Sequence, residues 1–132
     1  LVCSPDYQCD VTSPVDLEGV DCVATLAKEQ PMINWYLTKD QQSLRIYPKP
    51  AILVNNIDAV KEAILKGFGV GHLVYAFCER EIQSGELITL LDDWHVQAWE
   101  VYAIYPSRKH LPKKTERFVQ LVSDWAQKRY QS

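Results

Sequence analysis

Polar residues at the starts of predicted helices are the residues of this chain best suited to bind a ligand. Ser4 follows the apolar residues 1–3. Asn55 and Asn56 follow the apolar residues 51–54. Free backbone N–H groups at a helix start favour anions, and open α/β sheets bind ligands at the carboxyl ends of their strands. The same side chains are also good helix caps, and their spacing alone favours capping over binding.

The sequence contains no spacing typical of a metal site or a catalytic centre. Residues 92–95 (Asp-Asp-Trp-His) are predicted as a charged turn between two strands, and no nucleophile motif occurs. The glycines of residues 67–71 close a helix and enter a strand, which is the reverse of a phosphate-binding loop. The sequence therefore predicts no enzyme, cofactor or metal. The histidines are scattered without metal-ligand spacing: His72, His95 and His110.

The cysteines are spread unevenly, without a C-x-x-C pair: Cys3, Cys9, Cys22 and Cys78. This usage favours reduced thiols in the core of an intracellular protein. Cys3 and Cys9 are six positions apart, so a disulfide between them, or sensing of oxidants, stays open as the alternative. A sensor thiol needs a basic neighbour, and Asp6 and Asp10 have the wrong sign.

The composition is that of an ordinary globular domain. The chain has 132 residues, of which 47% are hydrophobic, and its 14 basic and 17 acidic side chains give a formal net charge of −3. Its longest apolar stretches are far shorter than the roughly 18–20 residues of a membrane span. The mild acidity argues against this segment binding a nucleic-acid backbone itself. We therefore expect one folded core and neither membrane insertion nor direct contact with DNA.

Short strands alternate with helices along the chain, which predicts an α/β fold. The final helix begins at Pro112 and carries an apolar face at positions 118, 121, 122 and 125. The predicted strands are residues 1–3, 22–26, 35–38, 44–47, 51–54, 70–74, 87–91 and 96–105, with 35–38 and 44–47 as a hairpin. The predicted helical segments before the final helix are residues 5–9, a turn at 14–17, a helix from Asn55 or Asn56 to a C-cap at Gly67, and 76–83.

Short motifs follow one another in a characteristic order over almost the whole chain. They are Leu-Val-x-Ser-Pro-x-Tyr (1–7), Pro-x-Asp-Leu (14–17), Asp-Cys-Val (21–23), Trp-x-Leu (35–37), Val-Asn-Asn (54–56), Gly-Phe-Gly-Val-Gly (67–71), Gly-Glu-Leu (85–87), Leu-Asp-Asp-Trp (91–94) and Tyr-Pro-Ser (105–107). This succession resembles the effector-binding domain of LysR-type transcriptional regulators. Val74 departs from the pattern because the family commonly has proline there, and His72 stands at a variable position beside it.

The resemblance implies a fold like that of type II periplasmic binding proteins, with two α/β lobes and a small-molecule effector in the cleft between them. Residues 1–91 would form lobe two with the first crossover strand. Residues 92–132 would form the return crossover strand and the C-terminal helix of lobe one. The winged helix-turn-helix domain, the linker helix and the first half of lobe one would precede residue 1. The apolar face of the final helix would then lack its partner.

The resemblance also implies a function and a set of site residues. The chain would be the ligand-sensing domain of a cytoplasmic transcription regulator that self-associates and contacts DNA only through the missing domain. Its effector is expected to be a small molecule, and one expectation is an anion. The effector would bind Ser4 near the crossover, Thr25 at the end of the first lobe-two strand, and Asn55 with Asn56 before the lobe-two helix. The alternative is a fragment of an extracytoplasmic solute-binding protein of the same fold.

Overall fold

A computed structural model describes residues 1–26, 33–96, 102, 104 and 112–130. The chain divides into two compact units, Leu1–Ala98 and Trp99–Ser132. The strands are β1 (Val2–Cys3), β2 (Asp21–Thr25), β3 (Trp35–Lys39), β4 (Gln42–Ile46), β5 (Lys49–Val54), β6 (Val70–Gly71), β7 (Ile88–Thr89) and β8 (His95–Val96). The helices are a 3₁₀ helix (Pro14–Gly19), α1 (Ile57–Leu65), α2 (Tyr75–Ser84) and α3 (Lys113–Tyr130).

The strand directions of the main sheet determine which residues share an edge. The described residues form a five-stranded sheet in the order β5-β2-β6-β1-β7 and a three-stranded sheet in the order β4-β3-β8. Strand β2 is parallel to β5 and β6, whereas β1 is antiparallel to both of its neighbours, β6 and β7. Strands β2, β5 and β6 therefore end at one edge of the sheet, which we name the carboxyl edge. Strand β1 ends at the opposite edge.

Both faces of the main sheet are covered. Val23 in β2 packs with Val60 and Ile64 of α1 on one face. Its neighbour Cys22 belongs to the cluster on the other face, together with Leu37 of the β3–β4 hairpin. Successive residues of a strand point to opposite faces, so burial on both sides explains why β2 has an apolar centre without polar alternation.

Helix α1 begins and ends as the sequence predicts. Asn56 caps its start, because the Asn56 side chain accepts hydrogen bonds from the backbone N–H of Asp58 at 2.7 Å and of Ala59 at 3.4 Å. At its end, the N–H of Gly67 donates to the carbonyl of Ile64 at 2.9 Å, and the N–H of residue 68 donates to that of residue 63 at 3.1 Å. This pair of bonds is the Schellman motif, so the predicted C-cap role of Gly67 is confirmed.

Strands β2 and β5 pair with an irregular register. Cys22 lies opposite Pro50, but the next pair joins Val23 to Ile52, so Ala51 is an additional residue in β5. The strand begins at Lys49, earlier than predicted, and so includes a proline. A proline is compatible with this position because β5 is an edge strand.

The helix predicted at residues 5–9 is wrong, because the chain makes a single turn there. The N–H of Tyr7 donates to the carbonyl of Ser4 at 3.0 Å, and the N–H of Asp6 donates to the Ser4 Oγ at 3.3 Å. The Tyr7 hydroxyl then accepts a hydrogen bond from the N–H of Asp21 at 3.0 Å. These contacts with Ser4 and Asp21 hold the turn and replace the helical continuation that the capping residues favour.

Helix α3 is the described element of the second unit. The apolar residues that define its predicted face are exposed, with Phe118 at 64% and Leu121 at 68% of full exposure. Most of the strand predicted over residues 96–105 lies outside the described residues. None of the described helices has both the length and the apolar character that a membrane crossing requires.

Candidate functional site

Two of the residues that the sequence predicts as ligand contacts lie at the carboxyl edge, offset by one position in the register. Thr25 ends β2 and is paired in register with Val54, the last residue of β5. Asn55 is the next residue, and the hydrogen bond from the N–H of Leu26 to the carbonyl of Val54, at 2.7 Å, keeps the two strand ends together. Both Thr25 and Asn55 are exposed.

The two neighbouring asparagines have different roles. The side-chain oxygen of Asn56 is occupied by helix capping, as described above. The side chain of Asn55 makes no hydrogen bond to any described residue. Capping therefore accounts for Asn56, whereas the amide of Asn55 is available to a ligand.

His72 is a third polar residue at this edge, and the sequence did not single it out as a site. It follows β6, and the pairing of Gly71 with Val23 places it beside the end of β2. The strand order would have indicated this position. Because β2 lies between β5 and β6 and is parallel to both, the residues that follow these three strands lie at one edge. His72 is partly buried, and no described residue hydrogen-bonds to it.

The imidazole of His72 is uncharged near neutral pH. Burial lowers its pKa to about 4. A neutral imidazole offers one hydrogen-bond donor and one acceptor. Together with the Thr25 hydroxyl and the Asn55 amide, the carboxyl edge presents three uncharged groups that can donate or accept hydrogen bonds.

The structure does not bring Ser4 together with these residues. Ser4 follows β1, whose antiparallel direction takes it to the opposite edge of the sheet. It is only 2% exposed, and its Oγ accepts the hydrogen bond from Asp6 described above. Ser4 instead lines part of a cavity of about 600 Å³ there.

That cavity has a mixed electrostatic character. It lies against the last turns of α1 and α2, where Glu62, Lys66, Arg80 and Glu81 contribute to its lining. Glu81 forms an ion pair with Lys61 at 2.8 Å, and this hydrogen bond lowers the pKa of the Glu81 carboxyl. Among the described residues, no group of three histidine, cysteine or acidic side chains is placed to hold a metal ion.

Comparison with known proteins identifies the family. The model of the LysR substrate-binding domain matches residues 1–127. The transcriptional regulator PtxR of Pseudomonas aeruginosa is 28% identical over 114 residues, which are 86% of this chain and 36% of PtxR. The regulator PgrR of Escherichia coli is 26% identical over 125 residues, which are 90% of this chain and 41% of PgrR.

The solved structures agree in fold. The full-length virulence activator AphB of Vibrio cholerae, a LysR-type protein, superposes with a TM-score of 0.76 at 21% identity, over 94% of this chain and 43% of AphB. The regulatory domain of AphB from Vibrio vulnificus superposes with a TM-score of 0.75 at 23% identity, over 93% of this chain and 63% of that domain. The predicted α/β fold of the periplasmic-binding-protein type is confirmed.

This chain belongs to the LysR substrate-binding domain family, so the resemblance noted in the sequence is confirmed. It spans well under half the length of the curated regulators PtxR and PgrR.

Proposed function

We propose that this chain is the ligand-sensing part of a LysR-type transcriptional regulator and that it binds a small-molecule effector at the carboxyl edge. The observation that carries the proposal is the alignment of Thr25, Asn55 and His72 at the ends of three adjacent parallel strands. Neither Asn55 nor His72 has a hydrogen-bond partner among the described residues. Binding at the carboxyl ends of strands is the general behaviour of open α/β sheets.

The uncharged character of this edge limits the chemistry of the effector. Asn56 already engages two N–H groups at the start of α1, so an anion meets the Asn55 amide and the Thr25 hydroxyl rather than an open helix terminus. Hydrogen bonds to an ionised acceptor contribute about 1.5–3 kcal/mol each. We therefore propose that a carboxylate or carbonyl oxygen of the effector binds Asn55 and Thr25 through hydrogen bonds, without an ion pair from these residues.

We assign DNA binding to residues outside this chain. The formal net charge of −3 argues against this segment binding a nucleic-acid backbone itself. We propose that DNA is contacted by a separate domain of the intact cytoplasmic regulator, that the regulator self-associates, and that effector binding alters this assembly. The names of PtxR and PgrR as transcriptional regulators support this assignment over a solute-binding protein.

Adjacent asparagines provide a matched test of the site. A library of carboxylic acids, amides and sugars is first screened for compounds that raise the melting temperature of this chain. The affinity of each hit is then measured by calorimetry with Asn55→Ala and with Asn56→Ala. We expect Asn55→Ala to weaken binding roughly tenfold to a hundredfold, because it removes a hydrogen bond to the ligand.

Asn56→Ala serves as the control because its side chain caps α1. It should lower stability by about 1 kcal/mol with little change in affinity. The proposal fails if the two variants bind the hits equally well, or if only Asn56→Ala weakens binding, because Asn55 would then have no role in recognition.

A further inference from the structure

Two cysteines that the sequence separates by a turn lie in one hydrophobic cluster of the fold. Cys3 ends β1 and is fully buried. The turn at Ser4 and Tyr7 reverses the chain, so that Cys9 packs against the hydrophobic cluster that contains Cys3. Cys9 is the neighbouring thiol that helps to raise the pKa of the Cys3 thiol, so the two side chains lie close together, and neither is in a disulfide. Neighbouring cysteines can be joined with little backbone movement, which a disulfide requires.

We propose that Cys3 and Cys9 form a reversible intramolecular disulfide when a hydroperoxide oxidises this protein. In the first step, the Cys9 sulfur attacks the nearer oxygen of the peroxide, the O–O bond breaks, and the departing alkoxide takes a proton to leave as an alcohol. Cys9 becomes a sulfenic acid. In the second step, the Cys3 sulfur attacks the Cys9 sulfur, the S–O bond breaks, and water leaves with the Cys3 proton. The two thiols together lose two electrons and two protons, which reduce the peroxide.

The difference in burial assigns the order of these steps. Cys9 is partly exposed, so an oxidant in solution reaches it first, and because its neighbours Asp6 and Asp10 are acidic rather than basic we expect this step to be slow. Burial raises the pKa of the Cys3 thiol to about 12, and the neighbouring Cys9 thiol adds to this effect. A thiol with such a pKa reacts poorly with dissolved oxidants. Cys3 therefore acts as the resolving thiol, which works here because its target sulfur is already beside it.

The other buried cysteines differ from this pair. Cys22 belongs to the same hydrophobic cluster as Cys3, but it is fully buried and sealed from solvent. Burial raises the pKa of the Cys22 thiol to about 11. Cys78 lies in the cluster on the other face of the sheet. The proposal thus predicts one specific pairing out of the several that four cysteines allow.

The pairing can be mapped by mass spectrometry of the intact chain. The protein is incubated with or without hydrogen peroxide, the peroxide is removed, and the chain is unfolded in urea and alkylated with iodoacetamide in the absence of reductant. Without peroxide, we expect four alkylated thiols. With peroxide, we expect two alkylated thiols. The other two cysteines should carry no alkyl group and should together be about 2 Da lighter, because a disulfide has lost two hydrogens, and dithiothreitol should reverse this change fully.

The sequence allows the pair to be identified directly. Asp6 separates Cys3 from Cys9, and Asp10 separates Cys9 from Cys22. A protease that cleaves before aspartate therefore places the three cysteines on different peptides, residues 1–5, 6–9 and 21–39. We expect residues 1–5 to be linked to residues 6–9. A link from residues 1–5 to residues 21–39, a dimer linked between chains, or four alkylated thiols after peroxide would overturn the proposal.

Two variants complete the experiment. Cys9→Ser should abolish the linked peptide, whereas Cys22→Ser should retain it. Cys9 is partly exposed, so we expect Cys9→Ser to fold, and circular dichroism checks this. If it does not fold, the peptide map of the unmodified chain decides the question alone.

Discussion

Alanine substitutions at three glycines can test the close approach of Gly69 to β2 separately from the strain of a left-handed backbone. At Gly69, φ is +147°, and an added Cβ would lie 2.4 Å from the Asp21 carbonyl oxygen and 2.9 Å from its carbon. At Gly85, which ends α2, φ is +78° but the space is open. At Gly19, no atom lies within 4 Å of an added Cβ, and φ is not in the left-handed region.

The expected costs of alanine at these positions follow from this geometry. Gly19→Ala should change the free energy of unfolding by no more than about 0.5 kcal/mol. Gly85→Ala should cost about 1–2 kcal/mol, because alanine must adopt a left-handed conformation. Gly69→Ala combines an unfavourable φ, at about 1–3 kcal/mol, with overpacking against backbone, at about 1–3 kcal/mol. We therefore expect Gly69→Ala to cost about 2–6 kcal/mol.

Urea unfolding of the three variants, followed by tryptophan fluorescence and circular dichroism, measures these differences. The order of destabilisation should be Gly69→Ala, then Gly85→Ala, then Gly19→Ala. If Gly69→Ala costs no more than Gly85→Ala, the approach of β6 to the Asp21 carbonyl does not limit side-chain size, and the reasoning from contact distances is refuted. A large decrease in the free energy of unfolding for Gly19→Ala would equally contradict the reasoning from contact distances.

Two further predictions concern pH and self-association. Because the folded-state pKa of His72 is about 4 against an ordinary value of 6.5, the unfolded chain binds the proton more tightly between these values, and stability is lost as pH falls through this window. We expect the free energy of unfolding to fall by about 2 kcal/mol between pH 8 and pH 5. Urea unfolding should show this dependence in the parent chain and not in His72→Gln. An equal pH dependence in both chains would contradict the prediction. The exposed Phe118 and Leu121 of α3 should promote association, since covering each contributes about 1.5–3 kcal/mol. Sedimentation should show that Leu121→Glu weakens association of this chain at least tenfold. The control Gln120→Glu, on the polar face of α3, should leave association unchanged. A monomeric parent chain would contradict the prediction.

Much of the fold could be predicted because local patterns and tertiary packing agree. The helix after Asn56 has its cap, its buried Val60 and Ile64, and its terminal Gly67, so every local signal indicates the same element. The β3–β4 hairpin was predicted as well, although its turn is tighter, with Asp40 at φ +52° between the strands. Asp tolerates this left-handed conformation, which a search for Asn-Gly does not detect.

Strand direction is the information that the sequence did not carry. The sequence predicts a strand at residues 1–3, but nothing in so short a segment indicates that β1 is antiparallel to its neighbours. The sequence pattern therefore groups Ser4 with Asn55, although the two lie at opposite edges. The pattern does not include His72 in the site for the same reason, because its place beside the end of β2 depends on which strands are adjacent. The prediction of Thr25 and Asn55 as effector contacts awaits the binding test.

The additional residue in β5 determines how far Asn55, the proposed ligand contact, extends from the sheet. If Ala51 were paired in a regular register, Val23 would face Ala51 and Thr25 would face Leu53, and Asn55 would extend about 3.3 Å further beyond the end of β2. A shift of the register by one residue would also reverse the face of the sheet to which the Asn55 side chain points. Ala51 is exposed on an edge strand, so the bulge accommodates the additional residue outside the buried clusters. The same irregularity therefore keeps Ile52 and Val54 packed against the cluster that contains Val60 and determines how far Asn55 extends beyond β2.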